Sequence, residues 1–214
     1  MSRIDTHPLD PALLRLRGIS PKQIKEHYKL YEGYVKTINE IRSRLQQVDR
    51  RDQNPRYTPY RGLKVEEPFN INGVVLHELY FENLGGTGRP HGPIVDALKK
   101  NFGSYEAWEA DFKAAAGASR GWVLLSLDFR DNKLHNYLAD AHDKGIVDCA
   151  TTLLIIDMYE HAYFLDYGTE RERYIDAFMK NIDWDVVNRR YQSLIGWVDK
   201  LNSSDQSTED YYFE

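Results

Sequence analysis

A chain of 214 residues, 42% hydrophobic and 13% aromatic, is long enough to bury one large core or two small ones. Its net charge of −5, with both signs interspersed, excludes a general nucleic-acid binder, and no apolar run reaches membrane-spanning length. The single cysteine, Cys149, excludes an internal disulfide, and the opening Met-Ser-Arg-Ile-Asp lacks the basic-then-apolar order of a secretory signal, so a cytoplasmic protein is expected.

Residues 1 to about 18 carry prolines and no periodicity and read as an extended arm. At Ser20-Pro21-Lys22-Gln23 an N-cap serine, a first-turn proline and a glutamine three residues on make a capping box. The helix that follows carries Ile24, Tyr28, Tyr31, Val35, Ile38 and Leu45 at helical spacing, with His27 and Tyr34 alongside, out to about Val48. Arg50 to Pro68 is charged and aperiodic and is predicted to be a connecting loop. Asn70 to Leu84 reads as a second helix, ended by Gly85-Gly86 and carrying His77. Two helices joined by a loop form an antiparallel hairpin, and each brings one histidine to its apolar side.

The breakers from Gly85 to Gly92 mark the expected domain boundary, dividing residues 1–88 from 89–201. Beyond it a short helix spans Ile94 to Asn101, and a second, capped by Ser104, runs to Ala116. Gly121–Leu127 and Lys133–Leu138 are strand-like runs around a turn at 128–132, a hairpin. Ala139 to Cys149 is a loop carrying His142, and 151–156 makes a third strand. Two closing helices are expected at about 170–181 and 185–200, then a polar, acidic tail, 202–214, predicted to be disordered.

The third strand is a continuous aliphatic run, as a strand buried on both faces is, and it ends in Asp157, Glu160 and His161. Such a strand should not end in ionisable groups that lack partners. A carboxylate and an imidazole four residues apart on a rigid element can hold one metal ion from two sides. On this stretch alone, a capping Asp157 and a packed His161 compete with that reading. With one cysteine, a metal site must use nitrogen and oxygen ligands. The candidates in chain order are His27, His77, Asp157 and His161, and three neutral imidazoles with one carboxylate suit iron or manganese and, less specifically, zinc.

Asp157-Met158-Tyr159-Glu160-His161-Ala162-Tyr163 resembles the D-x-W-E-H-A-Y signature of the iron/manganese superoxide dismutases, with tyrosine in the tryptophan position. The resemblance runs from about Gly18 to about Lys200. It is supported by His27-Tyr28, the segment His77 to Leu84, Phe102-Gly103-Ser104, Gly121-Trp122, Arg171 and Asn181-Ile182-Asp183-Trp184. It implies an α+β fold: an N-terminal α-helical hairpin followed by a C-terminal α/β domain with a three-stranded antiparallel sheet. One iron or manganese ion per subunit would lie between them, held by His27, His77, Asp157 and His161. The implied activity is disproportionation of superoxide. His142 would hydrogen-bond the metal-bound solvent, a place Gly73 has no side chain to fill, and Trp122 would wall the pocket. Glu160 would reach the ligand histidine of a second copy, implying a homodimer or homotetramer, and Arg171 would steer the anionic substrate.

The chain departs from the family at several positions. The family's gateway tyrosine stands eight residues after the first ligand, whereas His27 to Tyr34 is seven, and one helical residue is about 100° of rotation. Tyr34 is therefore expected at the gate only if its helix is locally irregular. Without a gap the first ligand would fall on Glu26; His27-Tyr28 matches the archaeal-type pair and is preferred. Tyr31 and Phe164 replace a hydrogen-bonded histidine and tyrosine that meet across the subunit boundary, and Tyr159 replaces a tryptophan. Such a rebuilt gate admits two alternatives: a metalloenzyme of the same fold with peroxidase- or oxygenase-like activity, or a non-catalytic interaction protein.

Overall fold

The computed structural model describes residues 3–209, the side chains of 198–209 excepted. The N-terminal arm is extended except for one 3-10 turn, Pro11–Arg15, whose N-cap Asp10 accepts from Ala12 N. Helix α1, Pro21–Gln47, starts at the expected N-cap, where Ser20 Oγ accepts from Gln23 N at 3.1 Å, but the reciprocal half of the capping box does not form: Ser20 N donates to Asp166 Oδ2 and the Gln23 side chain is engaged by His161 and Leu165. Its buried face is Ile24, His27, Tyr31, Val35, Ile38, Ile41 and Leu45.

Helix α2 spans Pro59–Glu82, well ahead of the expected start at Asn70. Thr58 caps it through Arg61 N at 3.0 Å, and Pro59 occupies the first turn. Much of the predicted loop is thus helical. Pro68 looked like a helix barrier, because an internal proline removes one backbone donor. In the structure it is carried inside α2, which packs along α1 for its length. Asn83 ends the helix and is fully buried: its Nδ2 donates to Tyr80 O and its Oδ1 accepts from Ile155 N. That side chain ties the helical hairpin to the sheet.

Helices α3, Pro93–Phe102, and α4, Tyr105–Ala118, follow, with Ser104 capping α4 through Ala107 N. The antiparallel sheet has the order β2-β1-β3, formed by β1, Trp122–Asp128, β2, Lys133–Ala139, and β3, Ala150–Asp157. Every residue of the central strand β1 is buried. Helix α4 covers β1 and β2, while α2 lies on β3. The register pairs Trp122 with Asp157, so the sheet itself sets these two side by side at one end.

After β3 come a 3-10 turn, Glu160–Ala162, and helices α5, Phe164–Tyr167, α6, Arg171–Met179, and α7, Trp184–Glu209. Helix α7 passes its expected end near residue 200, so 202–209, predicted to be disordered, are helical. No proline follows Trp184, and once a helix is nucleated each further residue costs little. The rest of the predicted tail, 210–214, lies outside the described residues.

Candidate metal centre

Four side chains from three places in the chain meet where α1, α2 and the end of β3 come together. His27 sits on the buried face of α1 and His77 on that of α2, both without solvent exposure. Asp157 is the last residue of β3, also at 0% exposure, and His161 lies in the 3-10 turn just beyond it. Asp157 Oδ2 stands 3.0 Å from His27 Nε2, 3.1 Å from His161 Nε2 and 3.8 Å from His77 Nε2. One ligand atom from each residue lies within 4.8 Å of all the others. With metal–ligand bonds of about 2.1 Å, ligand atoms at right angles stand about 3.0 Å apart and at 120° about 3.6 Å. The two shorter separations match ligands at right angles, the third is slightly longer than the 120° value, and the cluster could hold one ion.

Two further details favour an ion. His77 Nδ1–H donates to Gly73 O at 2.6 Å, which leaves the Nε2 lone pair facing the cluster, and that buried atom has no hydrogen-bond partner. Asp157 Oδ1 accepts from Tyr159 N at 2.9 Å, so its other oxygen alone faces the imidazoles.

The electrostatics agree. Burial pushes His27 down and holds His77 near 3, so both rings are neutral and able to ligate. Burial works to raise Asp157, but His161 and His27 overcome it and hold the carboxyl well below the usual range. His161 is raised, because Asp157 outweighs the burial that opposes it. A buried carboxylate ringed by three imidazoles is a cation site by construction.

His142 lies 1% exposed beside this cluster, and burial lowers its pKa. Trp122 Nε1–H donates to its Nδ1 at 2.9 Å, which makes Nδ1 the acceptor and puts the proton of the neutral ring on Nε2. That Nε2–H donates to Tyr34 Oη at 2.8 Å. The loop is held by Asn72 Nδ2, which donates to His142 O at 2.7 Å.

Tyr34 reaches the gate from an uninterrupted α1, its ring 5.2 Å from that of His77. No irregularity interrupts the helix between His27 and Tyr34. Seven residues make about two turns, so Tyr34 lies on the same side of the helix as His27. Its ring lies over Gly73, where no β-carbon intervenes. Tyr159 completes the wall, stacked on His161 at 5.2 Å, with burial pushing its hydroxyl up to about 12.

Four further expected residues stand outside the four-residue cluster. Tyr31 turns away from the cluster: its hydroxyl donates to Glu78 Oε1 and accepts from His7 N, pinning the arm. Arg171 donates to Ala116 O and Ser119 O at the end of α4, so its guanidinium is engaged with main-chain carbonyls. Glu160 and Phe164 are exposed and lie together with His161 on one face. Three residues of the site escaped the reading of the sequence. Gln23, 0% exposed, donates to His161 O and accepts from Leu165 N; Tyr80, its ring 5.0 Å from that of His27, shares a hydrogen bond with Tyr174; and Asn72 secures His142. A polar residue inside an apolar helical stripe, as Gln23 is, was the available signal.

A family model described as iron/manganese superoxide dismutases, C-terminal domain, matches residues 90–190. A protein of Aquifex pyrophilus named superoxide dismutase (Fe) is 46% identical over 183 residues, covering 83% of this chain and 86% of the relative. One of Cupriavidus metallidurans with the same name is 40% identical over 192 residues, 88% and 96% of the two chains. A protein of Haloferax volcanii named superoxide dismutase (Mn) 2 is 32% identical over 197 residues, 89% and 98% of the two chains.

Proposed function

The chain belongs to the iron/manganese superoxide dismutases, and from that premise we propose how its residues divide the work. It is a superoxide dismutase with a single iron or manganese ion, the activity its relatives are named for and its four-residue cluster fits. In the proposed assignment His27, His77 and His161 bind through Nε2 and Asp157 through Oδ2. The observation that carries it is the buried, unpartnered Nε2 of His77, facing the Asp157 carboxylate among two other imidazoles.

One-electron redox chemistry is what iron or manganese supplies when bound. Two superoxides and two protons give one dioxygen and one hydrogen peroxide, and the protein's residues must manage the protons. Three neutral imidazoles and one carboxylate leave a divalent or trivalent ion with net positive charge, which draws an anion into a chain of charge −5. Tyr34 accepts from His142 and keeps its own O–H to donate; burial, then Asp157, raises its pKa, so the hydroxyl stays protonated at neutral pH. Trp122 holds His142 in the tautomer that can restore that proton. Trp122, Tyr159 and Phe81, the last with its ring 5.1 Å from that of His27, keep bulk water from the centre.

The active unit in this proposal is a homodimer, or a tetramer built from it. Leu30, Phe164 and Leu165 are 40%, 49% and 54% exposed and line one face with His161 and Glu160. A second copy would cover that apolar face and bring its own Glu160 towards His161. A reducing compartment suits a chain whose one cysteine leaves no internal disulfide. No helix among the described residues is long and apolar enough to cross a membrane. Metal content and dismutase activity of one preparation, before and after reconstitution with each ion, test the reading. A chain that takes up neither ion, or takes one up without dismutating superoxide, would count against it.

A further inference from the structure

Away from the metal centre, the arm, the α2–α3 loop and the α6–α7 turn enclose an open pocket of about 610 Å³. Arg15, Arg17 and Arg89 line it with Thr87, Gly86 and Asn181, and no lining residue is a carboxylate. Arg17 is anchored, its guanidinium donating to Thr87 O and Lys180 O while Asn181 clasps its backbone on both sides. Arg15 and Arg89 are exposed, and among the described residues neither side chain has an ion pair or a hydrogen bond. Elsewhere Arg42, Arg51 and Arg190 each face a carboxylate.

Three guanidiniums in one concavity repel one another, and the carbonyls that hold Arg17 are neutral, so the pocket carries uncompensated positive charge on an acidic protein. Guanidinium forks match phosphate oxygens in pairs, and the volume lies within the usual range of small-molecule sites. We propose that this pocket binds a small polyanion carrying two or more phosphate groups, with Arg17 as its fixed point and Arg15 and Arg89 closing on the ligand.

Calorimetric titration of the metal-loaded full chain with inorganic tripolyphosphate at low salt tests this. The expected result is saturable binding of one tripolyphosphate per chain, weakened roughly tenfold or more in Arg15→Ala/Arg89→Ala. The control pair Arg44→Ala/Arg51→Ala should bind as the parent does. Orthophosphate should bind more weakly, since it cannot span the pocket, and a nucleoside triphosphate at least as tightly as tripolyphosphate. Absence of saturable binding overturns the proposal. So does equal weakening in both double variants, which marks a non-specific charge effect, and so does unchanged binding in Arg15→Ala/Arg89→Ala, which shows that these arginines do not hold the anion.

Discussion

A β-carbon on Gly73 would stand 2.6 Å from Cδ1 of Tyr34, so the α2 residue one turn before His77 must be glycine for the Tyr34 ring to keep its place. Alanine at position 73 would gain up to about 1 kcal/mol in helix propensity, against about 1–3 kcal/mol for overpacking. Gly73→Ala is expected to bind metal normally, melt a few degrees lower and lose activity per bound ion as Tyr34 moves off His142. Full activity per ion would show that the position of Tyr34 is immaterial.

His161→Ala removes one of three imidazoles around Asp157 and leaves a buried carboxylate short of a partner. Metal and activity should be lost together when purified protein is assayed by elemental analysis. Stoichiometric metal in this variant would mean that the ligand is misassigned.

Trp122→Phe deletes the donor that His142 Nδ1 accepts from and leaves that buried nitrogen unsatisfied, at a cost of about 1–3 kcal/mol. The variant should retain its ion, unfold at lower denaturant and turn over more slowly. Nitrogen NMR of metal-free protein should place the His142 proton on Nε2 in the parent and redistribute it in the variant. An identical spectrum would remove Trp122 from the proton path.

The metal-free protein should lose stability as pH falls below about 6.5, the ordinary histidine value. Burial depresses His142, His27 and, to about 3, His77. Unfolded chains then bind protons that folded ones refuse, so this contribution is complete above the unfolded pKa and declines as pH drops towards the folded values. Asp157, also depressed, adds a loss at still lower pH, once its unfolded carboxyl protonates. His161, raised by Asp157, works in the opposite sense. Denaturant midpoints at pH 7.5, 6.0 and 5.0 measure the balance, and a flat profile would contradict the burial of these rings.

Phe164→Glu places a charge among the exposed apolar side chains Leu30 and Leu165, on the face that also carries Lys22, Glu26, Glu160 and His161. Sedimentation velocity should show the parent as a dimer or larger and the variant as a monomer. A monomeric parent at micromolar concentration would end the dimer proposal.

The Ser20 N-cap, the hairpin turn and the buried third strand stand where their residues say, because each rests on a local pattern that packing reinforces. The start of α2 does not: Pro68 signals a break, and only the long contact with α1 explains why the helix carries it. The four-residue cluster was legible because ionisable groups in apolar stripes demand partners. The direction in which Tyr31 and Arg171 point was not, since it depends on Glu78, the arm and the end of α4, which no spacing within one helix reveals. Tyr34 comes beside His77 and His142 from a regular helix, because an interval of seven residues returns a helix to the same face.

His27, His77 and Asp157 expose no surface at all, and His27 and Asp157 are separated by 130 positions along the chain. Of the four clustered side chains His161 alone stays partly exposed, so an ion held among them is expected to exchange slowly, by that edge or as the helical hairpin and the sheet part.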